Sequence, residues 1–198
     1  MIRLTRRLED NAVAAMFLDR DGVINVKAPP GQYVTSPDDL ILIDGAAAAI
    51  RRVNELRIPV YIVTNQRWVA HRSDGIPKLR AIHSRLEALL ASAGAFVDGI
   101  YACGHEINQC ECRKPQRGLV DQVLRDNPSL RLSSCALVGD SETDIEVAAR
   151  CGMYSVRLFS DQDSDPESTG ARETAVDLYS AIMGHQATGT AASHSGPQ

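Results

Sequence analysis

A chain of 198 residues, 44% hydrophobic and 23% charged, holds enough apolar material for one well-buried domain. No run of apolar residues approaches the roughly 18 needed to cross a bilayer. The net charge of −4 provides no global basic field to attract nucleic acid or an anionic membrane, so an anionic substrate would need a local cluster or a metal. The first ten residues include arginines but no apolar stretch of signal-peptide length, and a cytoplasmic monomer is expected.

Apolar runs at 14–18, 59–63, 97–101, 135–138 and 153–158 each break at a glycine, polar or charged residue. Helical patterns lie between them at about 45–56, 77–93, 117–125 and 142–150. The alternation predicts an α/β three-layer sandwich with a central parallel sheet, Rossmann-like and buried on both faces. Ligands of such a sheet sit beyond the carboxyl ends of its strands.

The first run ends in Asp19-Arg20-Asp21-Gly22. Carboxylates at i and i+2 of an extended segment point the same way, and their repulsion calls for a divalent cation beside them. The stretch 26–36, with Pro29, Pro30 and Gly31, lacks periodicity and reads as a loop placed to cover a site. The second run ends in Thr64 and Asn65, whose hydroxyl and turn amides suit phosphate oxygens. Pro77 fits a helix start, Leu79, Ile82, Leu86, Leu89 and Leu90 form one core-facing stripe, and Gly94 ends the helix.

Cys103, His105, Cys110 and Cys112 follow the third run as Cys-x-His-x4-Cys-x-Cys. Five cysteines, three of them crowded into 103–112, argue for metal binding over a disulfide framework. Four such ligands in ten residues match a closed, structural zinc site, and zinc would supply folding energy to a loop with few apolar residues. The loop runs into Arg113 and Lys114, cations able to bind a substrate oxyanion and a transferring phosphoryl group. The fourth run delivers Asp140, with Asp144 in the first turn of the next helix. Asp140 is placed to share a magnesium site with Asp19, and Asp144 to orient a metal water, hold Lys114 or favour the helix dipole. Cys135 and Cys151 read as small core hydrophobes, His71 and His83 as surface or helix residues, and Trp68 as a lid or a sugar contact. Residues 160–168 form an acidic linker, 173–183 a last helix, and 184–198 a small, polar, disordered tail. One domain is expected over 1–183, with its core at about 14–158.

In combination and in this order, the four stretches around Asp19, Thr64, Lys114 and Asp140 resemble the motifs of the haloacid-dehalogenase-like superfamily of phosphotransferases. The resemblance implies Asp19 as nucleophile and Asp21 as general acid/base. It also implies Thr64 and Lys114 as phosphoryl ligands, and magnesium on Asp19, Asp140 and the backbone carbonyl of Asp21. With the zinc loop and the Tyr33-Val34 and Pro37-Asp38-Asp39 stretches, the chain is similar to the branch of heptose 1,7-bisphosphate and histidinol-phosphate phosphatases, which lacks a large cap domain. The implied substrate is a small phosphorylated metabolite, first a heptose 1,7-bisphosphate losing its C7 phosphate, alternatively histidinol phosphate. A catalytically silent zinc-stabilised binding protein is the rival of another class. Two departures from the branch fall where substrate would touch: the bulky, basic stretch 67–72 and the short span between His105 and Cys110.

Overall fold

The computed structural model describes residues 3–159 and 170–184. Six parallel strands form its sheet: β1 (Ala15–Leu18), β2 (Val60–Asn65), β3 (Gly99–Cys103), β4 (Cys135–Gly139), β5 (Tyr154–Leu158) and β6 (Glu173–Ala175), in the spatial order β3-β2-β1-β4-β5-β6. The chain builds outward from β1 to β3 and then crosses back to lay β4 on the other side of β1, with Leu18 in register with Ile62 and Val138. That reversal opens a crevice above the carboxyl end of β1.

The expected layering holds, because alternate residues of each strand face opposite helical layers. Met16, Leu18, Val60, Ile62, Ala136, Val138, Val156 and Leu158 pack against α2 (Ala46–Glu55), α3 (Gly75–Ser92) and α6 (Leu178–Met183). Ala15, Phe17, Tyr61, Val63, Cys135 and Leu137 face α4 (Gly118–Asp126) and α5 (Glu142–Arg150). The stripe residues Ile82, Leu86 and Leu90 of α3 are fully buried, and Gly94 follows that helix in the left-handed conformation (φ 73°).

Three features differ from expectation. A short helix, α1 (Leu4–Glu9), precedes the sheet and buries Leu4 and Leu8. Helix α3 begins at Gly75, two residues before Pro77; proline is tolerated there because first-turn amides have no partner inside the helix. The helix expected over 173–183 splits into β6, paired with β5, and α6, whose start is capped by Asp177 accepting from the Ser180 amide at 2.6 Å. No helix among the described residues is long and apolar enough to cross a membrane. The linker expected at 160–168 lies outside the described residues, as does the tail expected at 184–198 apart from Gly184.

Candidate active site

The crevice collects the residues that the strand ends deliver. Asp19 leaves β1 with its amide still donating to the Val138 carbonyl at 3.0 Å, and its Oδ1 accepts from the Arg20 amide at 2.8 Å. Thr64 and Asn65 close β2, and Asp140 follows β4. Lys114 enters from the segment after β3. Asn65 clamps it by accepting from the Lys114 amide at 3.0 Å and donating to its carbonyl at 3.1 Å, so both ends of this amide hold Lys114 in place. The Lys114 ammonium lies 3.0 Å from Asp19 and 2.6 Å from Asp144, inside the protein. Asp144 also accepts from the Ser141 amide at 3.1 Å, so it fastens the start of α5 and holds the lysine together. Asp19, Asp21, Lys27, Thr64, Asn65, Arg113, Lys114, Asp140 and the loop from Ala28 to Val34 line one cavity of about 300 Å³.

The charges here are poorly balanced. Burial pushes the Asp19 carboxyl up to about 7; Lys114 pulls it down, while Asp144, Asp140 and Asp21 add to the rise. Burial raises Asp140 too, against the pull of the Lys27 ammonium 2.5 Å away. The Asp140 Oδ1 is buried without a hydrogen-bond partner. One carboxylate oxygen from each of Asp19, Asp140 and Asp144 lies within 4.8 Å of the others. An orphaned oxygen in an acidic cluster suits a hard, oxygen-seeking cation. Gly22 makes the approach possible: at φ 82° it favours glycine, and a Cβ there would collide with the Asp140 carboxylate.

Asp21 is held differently. Burial alone would raise its pKa, but the Arg20 guanidinium, with donors from Asn25 and Gln66, keeps the carboxyl below its ordinary value. Arg20 is fully buried and donates to both Asp21 oxygens at 2.9 Å, Asn25 Nδ2 donates at 2.9 Å and Gln66 Nε2 at 2.7 Å. His83, expected as an unremarkable helix residue, backs Arg20 at 3.4 Å. Burial and Arg20 push its pKa down to about 4 against the pull of Asp21, leaving a neutral ring that can accept from the guanidinium. Trp68 is neither lid nor sugar contact in this arrangement. It is buried, and its indole N–H donates to Gln66 Oε1 at 2.9 Å. Arg20, Asn25, Gln66 and Lys27 join the site without any expectation from the sequence. An arginine between two acids at the end of a buried strand was the available signal for the first.

The four thiol and imidazole groups converge. Sγ of Cys103 and Cys110 are 3.5 Å apart, those of Cys110 and Cys112 3.2 Å, and His105 Nδ1 lies 3.2 Å from Cys112 Sγ and 3.7 Å from Cys103 Sγ. A tetrahedral zinc with bonds of about 2.3 Å to sulfur sets its sulfurs about 3.8 Å apart, close to this spacing. Glu106, inside the loop, pairs with Arg67 and His71, which ties the zinc-type loop to the bulky stretch after β2.

Residues 111–178 match the HAD-hydrolase-like family model. The chain is 33% identical over 174 residues to the D-glycero-alpha-D-manno-heptose-1,7-bisphosphate 7-phosphatase of Mycobacterium bovis, covering 86% of this chain and 91% of that one. It is 36% identical over 138 residues to the D-glycero-beta-D-manno-heptose-1,7-bisphosphate 7-phosphatase of Bordetella bronchiseptica, covering 69% and 75%. Among solved structures, the D,D-heptose 1,7-bisphosphate phosphatase of B. bronchiseptica, complexed with magnesium and phosphate, superposes with a TM-score of 0.72 at 31% identity over 83% of this chain and 94% of that one.

Proposed function

The chain belongs to the haloacid-dehalogenase-like phosphatases, and from that premise we propose that it removes the C7 phosphate of D-glycero-D-manno-heptose 1,7-bisphosphate through an aspartyl-phosphate on Asp19. The observation that carries the chemistry is the Asp19 carboxylate 3.0 Å from the Lys114 ammonium, at the floor of a cavity rimmed by Thr64, Arg113 and Asp140. The substrate assignment is supported by relatives named for it.

In this reading the Asp19 carboxylate attacks phosphorus and the bond from phosphorus to the C7 oxygen breaks. Asp21 gives that oxygen a proton. The resting site keeps Asp21 ionised, so it takes a proton from solvent as the phosphoryl charge arrives beside it and returns one to solvent when phosphate leaves. Water then attacks the same phosphorus, Asp21 accepts its proton, and inorganic phosphate leaves with Asp19 restored. Lys114 and the Thr64 hydroxyl hold the phosphoryl oxygens, and Arg113 holds the sugar end. Asp19, Asp140 and the Asp21 carbonyl would hold Mg²⁺, which when bound supplies charge neutralisation at the transferring group. Cys103, His105, Cys110 and Cys112 would hold a structural Zn²⁺ that fixes where Arg113 and Lys114 sit. The same reading covers a monomeric cytoplasmic enzyme of one domain.

The test is a comparison of kcat/KM on the two anomers of heptose 1,7-bisphosphate and on histidinol phosphate. At least one heptose anomer should exceed histidinol phosphate by about a hundredfold, since a pocket built to pair sugar hydroxyls is left with unpaired polar groups by a substrate that lacks them. A preference for histidinol phosphate would replace the substrate and leave the phosphatase reading standing.

A further inference from the structure

Gln66 has no exposed surface, and its side-chain amide makes four hydrogen bonds. Its Oε1 accepts from Arg20 Nη2 at 3.1 Å and from Trp68 Nε1 at 2.9 Å. Its Nε2 donates to Asp21 Oδ2 at 2.7 Å and to Thr64 Oγ1 at 2.8 Å. Swapping the amide's oxygen and nitrogen is ruled out by the chemistry of its neighbours. Arginine and indole N–H groups can only donate, so the atom facing them must be the oxygen. The NH₂ group therefore faces the acid and the hydroxyl.

This has a consequence at Thr64. Its oxygen is already an acceptor from Gln66, so the hydroxyl proton is left to point elsewhere, and Thr64 lines the cavity where the phosphoryl group would lie. With the opposite amide orientation the hydroxyl would spend its proton on Gln66 and present lone pairs to a phosphate oxygen. The same amide holds Asp21 Oδ2 beside Arg20, which donates to both carboxylate oxygens, while Asn25 donates to Oδ1.

We propose that Gln66 is a positioning residue for phosphoryl transfer: locked by Trp68 and Arg20, its amide turns the Thr64 hydroxyl proton toward the phosphoryl group and aims Asp21 at the leaving oxygen. The proposal rests on the phosphatase reading above. It makes Trp68, buried and out of reach of substrate, part of the catalytic geometry through one N–H.

The test uses the full-length, metal-loaded protein and two variants. Gln66→Met removes all four hydrogen bonds at similar volume, and Trp68→Phe removes the indole N–H while keeping an aromatic ring in the core. Each is assayed on 4-nitrophenyl phosphate, whose leaving group needs no proton, and on an alkyl phosphate, whose leaving group does. Gln66→Met should lower kcat/KM on the alkyl phosphate about a hundredfold and on 4-nitrophenyl phosphate about tenfold or less, because kcat/KM reports the first phosphoryl transfer, where Asp21 acts as acid for the poor leaving group alone; its later role as base toward water is common to both substrates. Trp68→Phe should shift both in the same sense by about threefold to tenfold on the alkyl substrate, and it keeps the test open if Gln66→Met does not fold. Inhibition by inorganic phosphate supplies a second readout. Thr64→Val should weaken it about tenfold in the wild-type background and barely at all in the Gln66→Met background, where the hydroxyl is no longer directed. Equal losses on both substrates, or additive effects of the two substitutions on phosphate inhibition, would overturn the proposal. A wild-type protein inert on both substrates would instead overturn the phosphatase reading beneath it.

Discussion

Replacing Lys114 by methionine tests how the site balances its charges. The lysine side chain is 2% exposed, Asp144 is fully buried and Asp19 is 12% exposed. Removing one member of a buried ion pair costs about 3–5 kcal/mol, because the partner is left uncompensated away from water. Here two carboxylates lose the same cation, and the site relieves this by protonating one of them. The folded Asp19 already has its pKa raised from 3.8 to about 7, so its ionised form opposes folding, and that penalty grows as pH rises from about 4 to 7. Deleting Lys114 pushes the folded value higher and carries the penalty further up in pH. The variant should therefore lose about 3–5 kcal/mol at pH 8 and clearly less at pH 5, where Asp19 is protonated with or without the lysine. For a chain of this size the loss at pH 8 corresponds to a fall of roughly 10 °C in Tm. Urea unfolding in magnesium-free buffer without chelator, at both pH values, gives the comparison. A loss below about 1 kcal/mol at pH 8, or a larger loss at pH 5 than at pH 8, would refute the reasoning.

Three further outcomes follow from the same geometry. Lys27→Met removes a half-exposed cation that neutralises Asp140, so magnesium should bind about twofold to fivefold more tightly by calorimetry; weaker binding would mean that Lys27 helps to build the metal site. Magnesium must displace the proton that the raised Asp19 retains below about 7, so its Kd should weaken about tenfold per pH unit below that point and level off above it; a flat profile from pH 5 to 8 would contradict the coupling. Stripping zinc and then adding saturating magnesium should leave phosphatase activity largely lost, with zinc restoring it, because the 103–112 loop sets Arg113 and Lys114; full activity in the zinc-free protein would separate the loop from catalysis.

The sheet and much of the site could be read from residue order alone, for a physical reason. A strand buried on both faces is a continuous apolar run, and its carboxyl end is where the run stops. Asp19, Thr64 and Asp140 were therefore visible as chemistry placed at strand ends, and the structure gathers them around Lys114. Of the three roles the sequence leaves open for Asp144, holding Lys114 and favouring the N-terminal end of α5 fall to one carboxylate. What stayed hidden depends on contacts between distant segments. Gln66 looks like any polar residue in a turn until Arg20, Trp68 and Asp21 surround it, and His83 acquires a role only because α3 packs where Arg20 turns inward. Lys27 sits in a loop whose lack of periodicity gives no hint of direction. The three-residue β6 is too short for alternation to register, so its residues read as the start of the following helix.

Phosphoryl transfer through this site requires Asp19 to form a bond to phosphorus. Rapid acid quenching of the magnesium-loaded enzyme with phosphoryl-labelled substrate should trap a base-labile label on the peptide carrying Asp19, and Asp19→Asn should retain the fold yet show neither label nor turnover. Turnover without any trapped label, together with comparable activity in Asp19→Asn, would contradict the mechanism.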